Sequence, residues 1–164
     1  MADADLGLAP ESPEQRLGRL GIALPPRPHA PIGNFANVRA SRGMLYISGQ
    51  GPVTPDGTYL TGKVGADVST EDARDHARLV GLNLLSVARE AAGSLDRIAG
   101  VVKLLGMVNA VPDYRDHPRV INGCSDLLID VFGPDGVHAR SAIGVGSLPN
   151  QITVEIEAIF ELAG

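Results

Sequence analysis

Arg140 and Glu155 are the two side chains in this sequence best placed to do chemistry together. Arg140 opens the run Arg140-Ser141-Ala142-Ile143-Gly144-Val145-Gly146, which reads as a strand. Alternation sends Ile143 and Val145 one way and Arg140, Ala142, Gly144 and Gly146 the other. A guanidinium sharing its strand face with small residues alone should have open space beside it. A planar fork in such a space suits a small anion such as a carboxylate. Glu155 lies in the following run, where Ile152, Val154, Ile156, Ala158, Phe160 and Leu162 alternate with Thr153, Glu155, Glu157, Ile159 and Glu161. That is the period-2 pattern of a strand with one buried face. A carboxylate on its other face can accept a proton from water and return it to a departing group.

Other residues fit both a chemical and a structural reading. Ser48-Gly49-Gln50-Gly51 ends an earlier strand without bulk, which suits either a close ligand approach or a plain strand end. Arg140 could pair with an acid on a neighbouring strand, and Glu155 with Glu157 could form an exposed face. Cys124 lies on the apolar stripe of a predicted helix and fits a core position better than a nucleophile. His29, His76, His117 and His138 show no metal-ligand spacing, and no phosphate loop or other cofactor motif is present. His138 beside Arg140 is a weak acid–base candidate.

These side chains need a scaffold, and its elements can be read in order. Residues 1–31 read as an arm, with Ser12-Pro13-Glu14-Gln15 starting a short helix through Leu17 and Leu20 that stops at Gly21. Pro25, Pro26, Pro28 and Pro31 then make an extended connector that should isolate the arm. Residues 32–164 read as one domain. A hairpin joins Phe35–Arg39 to Met44–Gln50 through Ser41-Arg42-Gly43, and Gly62–Gly65 reads as loop or a weak edge strand. Ser69 caps a helix whose apolar stripe runs from Ala73 to Ala91, ending at Gly93. An apolar central strand follows over Ile98–Val108, then a helix from about Asp116 or His117 to Phe132. The order βββαβαββ predicts a two-layer α+β domain with one mixed sheet and two helices on one face.

Composition narrows the function. No apolar run approaches the ~18 residues of a membrane span, and no signal-peptide core is evident, so a soluble, cytoplasmic protein is expected. One cysteine excludes an internal disulfide. A net charge of −5 with no Lys/Arg cluster argues against nucleic acid as a partner.

The run Ala139-Arg140-Ser141 … Ser147-Leu148-Pro149 … Val154-Glu155-Ile156-Glu157-Ala158-Ile159 resembles the C-terminal signature of the RidA/YjgF family of reactive-intermediate deaminases. Leu45-Tyr46-Ile47-Ser48-Gly49-Gln50 resembles that family's N-terminal strand. The resemblance covers roughly Ile32 to Leu162 and implies a chorismate-mutase-like fold and a homotrimer with ligand clefts between subunits. It implies that Arg140 grips a substrate carboxylate and that Glu155 stands near the attacking water. It also implies that Ser48, Gly49 and Asn122 contribute to binding. Two positions depart from the pattern: Phe35 stands where a tyrosine is common, and Ala142 where a cysteine is common. The expected activity is hydrolysis of small 2-imino carboxylic acids, or their enamine tautomers, to 2-oxo acids. The alternatives are a non-catalytic sensor of small carboxylic acids using the same cleft and, third, an RNA-cleaving protein. The strand face carrying Thr153, Glu155, Glu157 and Ile159 has no predicted helix left to cover it, which fits an assembly.

Overall fold

The computed structural model describes residues 10–164. The opening of the expected arm lies outside them. Five strands form one mixed sheet in the order β1-β2-β5-β3-β4. They are β1 (Val38–Ser41), β2 (Met44–Gln50), β3 (Ile98–Asn109), β4 (Ala139–Val145) and β5 (Val154–Leu162). Only β3 and β4 run parallel, because α3 (His117–Phe132) connects them as a crossover. The other pairs are antiparallel. The long helix α2 (Thr70–Ala92) lies beside α3 on the same sheet face, giving the expected two-layer α+β architecture.

Local chemistry accounts for the element ends. The Ser69 hydroxyl accepts the Asp72 N–H at 3.0 Å, capping α2, and Gly93 closes it at φ +83°. The β1–β2 hairpin turns on Arg42 and Gly43, both at positive φ, as a two-residue turn with the native strand twist requires. Leu45, Leu104, Ile156 and Phe160 from the sheet bury fully against Val80, Leu84, Ile121 and Leu128 from the helices. Cys124 is fully buried here, and burial pushes its thiol up to about 12. It is a small apolar side chain of the core.

Four local expectations change. The first strand begins at Val38 rather than Phe35, so residues 32–37, Phe35 among them, extend the connector. The weak strand near Gly62–Gly65 reduces to isolated bridges, Val64 pairing with Val68 and Ala110. The last strand begins at Val154, because the chain bends at Thr153, whose N–H donates to the Leu60 carbonyl at 3.2 Å; Thr153 is fully buried, its hydroxyl 2.9 Å from His76 Nδ1 on α2. Finally, the prolines do not set the arm apart. Helix α1 (Pro13–Leu20) inserts Leu17 into the core, with 3% of its surface exposed. The Glu14 carboxylate accepts from Arg89 Nε at 3.0 Å and from the Leu95 N–H at 3.0 Å. The Ser86 hydroxyl donates to the Pro25 carbonyl at 2.9 Å, which ties the connector to α2.

Candidate functional site

A cleft of about 180 Å³ opens between the connector, the end of β2 and the start of β5. Its walls are largely apolar: Pro31, Ile32 and Phe35 from the connector, Val53, Tyr59, and Ile152 before β5. Phe35 is 48% exposed and Ile32 is 65% exposed, so this apolar surface faces the opening. Glu155 is the one carboxylate among the lining residues. Burial, and then the neighbouring Glu157 carboxylate, holds the Glu155 carboxyl above the ordinary carboxylate range.

Gly49 makes room for that carboxylate. A Cβ at position 49 would overlap Glu155 Oε1, so only glycine lets the acid stand against β2. A register shift between Ile47 and Gln50 accompanies this close approach. Ser48 is occupied differently: its hydroxyl donates to the Ala36 carbonyl at 2.7 Å, and its N–H to the Asn37 carbonyl at 2.9 Å. It thereby fastens the connector that carries Phe35. On the opposite wall, Asn150 and Gln151 take the left-handed conformation at φ +54° and +55°. This tight turn aims Ile152 into the cleft just before β5.

Arg140 lies elsewhere, on the edge strand β4. Its strand neighbour is Leu104, a core residue facing the helices, so the arginine turns toward α3. Nη1 donates to Asn122 Oδ1 at 2.8 Å and to Ser125 Oγ at 3.1 Å, while Nη2 donates to the Pro118 carbonyl at 3.4 Å. The structure therefore joins two of the residues singled out in the sequence, Arg140 and Asn122. Ala142 follows on the same face, partly buried against the core. The open strand face expected beside Arg140 is partly filled. A Cβ on Gly144 would overlap His117 Nε2, so α3 occupies the space that alternation alone leaves empty.

The candidate residues thus form two groups. Phe35, Gly49 and Glu155 share the cleft, while Arg140 and Ala142 share β4, with Asn122 of α3 bonded to Arg140. Glu155 pairs with Met107 of β3, and Arg140 pairs with Leu104. Two strand spacings and three residues of rise separate their Cα atoms by roughly 14 Å. They also point to opposite faces of the sheet. One small molecule cannot bridge both within a single chain.

A family model described as "YjgF/chorismate_mutase-like, putative endoribonuclease" matches residues 14–157. The chain belongs to the YjgF family. Among the relatives of this YjgF-family chain, Protein TCP17 of Trypanosoma cruzi is 41% identical over 147 residues, covering 89% of this chain and 91% of its own. A crystal structure of an Agrobacterium tumefaciens protein of unknown function superposes with a TM-score of 0.83 at 40% identity, covering 92% of each chain. A 2-iminobutanoate/2-iminopropanoate deaminase of Dermatophagoides farinae is 31% identical over 106 residues, 62% of this chain and 74% of its own. The matched region begins inside α1, consistent with the docking of that helix on the core.

Several site residues escaped sequence reading. Ile32, Tyr59 and Ile152 reach the cleft from loops with no periodicity to mark them. Ser125 reads as one more polar residue on α3, yet its hydroxyl lies between Arg140 and His138. The adjacency of His138 to Arg140 was the single local hint of that cluster. No helix among the described residues is long and apolar enough to cross a membrane.

Proposed function

We propose that this YjgF-family chain hydrolyses small 2-imino carboxylic acids, or their enamine tautomers, to 2-oxo acids and ammonia. The site is a cleft shared between copies of a cytoplasmic homotrimer. One observation carries the reading: the acid and the arginine stand on opposite sheet faces, too far apart to meet one substrate in one chain. A contact that sets the Arg140 edge of one copy against the Glu155 cleft of the next is head-to-tail, and such contacts close into rings. The uncovered sheet face, with Tyr46 and Ile143 exposed, offers apolar surface for that contact. The named relative with imine deaminase activity supports the chemistry.

In this reading Arg140 pairs the substrate carboxylate through Nε and Nη2, the nitrogens with donors to spare. Water adds to C2 of the protonated imine while one of its protons passes to Glu155. The nitrogen of the resulting carbinolamine takes that proton, the C–N bond breaks, and the hydroxyl loses its proton to become the 2-oxo group. Ammonia leaves. A carboxyl held above its ordinary range is a stronger base once ionised, which suits this exchange. The substrate side chain rests on Ile32, Phe35, Val53 and Tyr59. An acid-bearing cleft in a chain of net charge −5 does not favour a polyanion such as RNA.

The test is a coupled assay in which an amino-acid oxidase generates 2-iminopropanoate or 2-iminobutanoate and imine loss is followed. Accelerated loss supports the deaminase. Carboxylate binding without acceleration instead makes the protein a sensor of small carboxylic acids.

A further inference from the structure

Arg140 is fixed without any carboxylate partner among the described residues, and the way it is fixed determines which edge it can offer. Both hydrogens of Nη1 are engaged, by Asn122 Oδ1 at 2.8 Å and Ser125 Oγ at 3.1 Å. Nη2 gives one hydrogen to the Pro118 carbonyl at 3.4 Å. The donors left over are one on Nε and one on Nη2, the pair that matches a carboxylate in fork geometry.

Ser125 can serve as an acceptor only if its own hydrogen points elsewhere. Its hydroxyl lies 2.9 Å from His138 Nε2. The other ring nitrogen, Nδ1, lies 2.6 Å from the Gly136 carbonyl, which can only accept. Nδ1 therefore carries the ring hydrogen, Nε2 presents a lone pair, and the Ser125 hydroxyl donates to it. Ser125 Oγ is then left with its lone pairs toward Arg140. A directional chain results, from Arg140 through Ser125 to His138 and the Gly136 carbonyl. Burial, opposed by the hydrogen bond to the Gly136 carbonyl and aided by the Arg140 charge, holds His138 below its ordinary value. Ser125 is 7% exposed and already saturated, so the Ser–His pair does not read as a nucleophile and its base.

We propose that Ser125 and His138 are positioning residues that lock the Arg140 guanidinium, so that its Nε–Nη2 edge is presented to the ligand carboxylate. This rests on the reading of Arg140 as the carboxylate anchor. Neither residue touches the substrate; both act through the arginine. His138 supplies an acceptor whose polarity a carbonyl enforces, and Ser125 passes that polarity on.

The experiment compares the full-length protein with Ser125→Ala, His138→Leu, His138→Gln and Arg140→Ala. Pyruvate binding, 2-iminopropanoate turnover and the side-chain ¹⁵N–¹H spectrum of arginine are measured on each. Loss of one hydrogen bond to a charged group should weaken pyruvate binding and raise KM about tenfold in Ser125→Ala and His138→Leu, with kcat nearly unchanged. His138→Gln, whose amide oxygen can still accept from Ser125, should bind like the parent protein. Parent-like binding in Ser125→Ala and His138→Leu, with loss in Arg140→Ala alone, overturns the positioning role and leaves the carboxylate reading standing. Unchanged binding in Arg140→Ala overturns the carboxylate reading instead, and the spectrum then decides. Arg140 Nη1 resonances that are resolved in the parent and in His138→Gln but averaged in Ser125→Ala support the lock. Identical spectra overturn it.

Discussion

Glu155 Oε1 stands where the Cβ of any residue but glycine at position 49 would be. The acid of the cleft and the bare backbone of β2 are thus a single arrangement, and the rise in the Glu155 carboxyl follows from it. Packed against β2 and under the connector, the carboxylate loses water that an exposed strand residue would keep.

Gly49→Ala should therefore disturb Glu155 before it disturbs the fold. The added methyl meets a side chain that can rotate away, so the expected cost is roughly 1–3 kcal/mol of stability. Imine turnover should fall by an order of magnitude or more as the carboxylate leaves its place. Turnover equal to the parent protein's would separate Gly49 from the acid.

Glu155→Gln should slow turnover by about 10²–10⁴-fold, the usual share of a positioned acid–base group, while carboxylate binding persists. The same substitution should raise Tm at neutral pH. The folded state binds the Glu155 proton more tightly than the unfolded chain does, so stability falls as pH rises from the ordinary carboxylate pKa through the raised one. Above that window the parent bears the full cost of an ionised, partly buried acid and the glutamine does not. At low pH the two melting temperatures should converge. Parent and variant melting alike at every pH would show that burial does not raise this group.

The pH profile carries the same sign. If ionised Glu155 is the base, kcat/KM should fall on the acid side with a midpoint above that of an unperturbed glutamate. That limb should vanish in Glu155→Gln. A residual profile of parental shape would assign the limb to another group.

Subunit mixing tests whether the site is shared. Arg140→Ala and Glu155→Gln homo-oligomers should each be nearly inactive. Unfolding and refolding an equimolar mixture should restore about a quarter of the sites, because a head-to-tail contact can draw each intact residue from a different copy. A mixture no more active than its components would place both residues in one chain's site.

Removal of residues 1–28 should cost more than the detachment of an appendage. The deletion empties the Leu17 site and leaves Arg89 without Glu14. Loss of one buried leucine alone is worth roughly 2–5 kcal/mol. For a chain of this size that corresponds to a fall of about 5–15 °C in Tm. A truncated protein melting within two or three degrees of the full chain would restore the view of residues 1–31 as a separable arm.

Much of this fold was legible in short-range signals. Ser69 and Gly93 mark the ends of α2, the β5 alternation separates Ile156 and Phe160 from Glu155 and Glu157, and Cys124 falls on a buried stripe. Those patterns depend on helical and strand periods, which the order of residues determines by itself. The sequence also carried Arg140, Asn122, Gly49 and Glu155 as candidates, through a motif whose spacing is preserved. Tertiary structure alone decided how they are grouped. Strand alternation says that Arg140, Ala142 and Gly144 share a face, but not that α3 lies on it with His117 filling the space at Gly144. It marks the prolines as an extended connector, but not that Ile32 and Phe35 become a cleft wall and Leu17 a core residue. The Ser125–His138 chain joins a helix to a loop 13 residues on. Its polarity comes from one backbone carbonyl, a contact with no period for a sequence pattern to reveal.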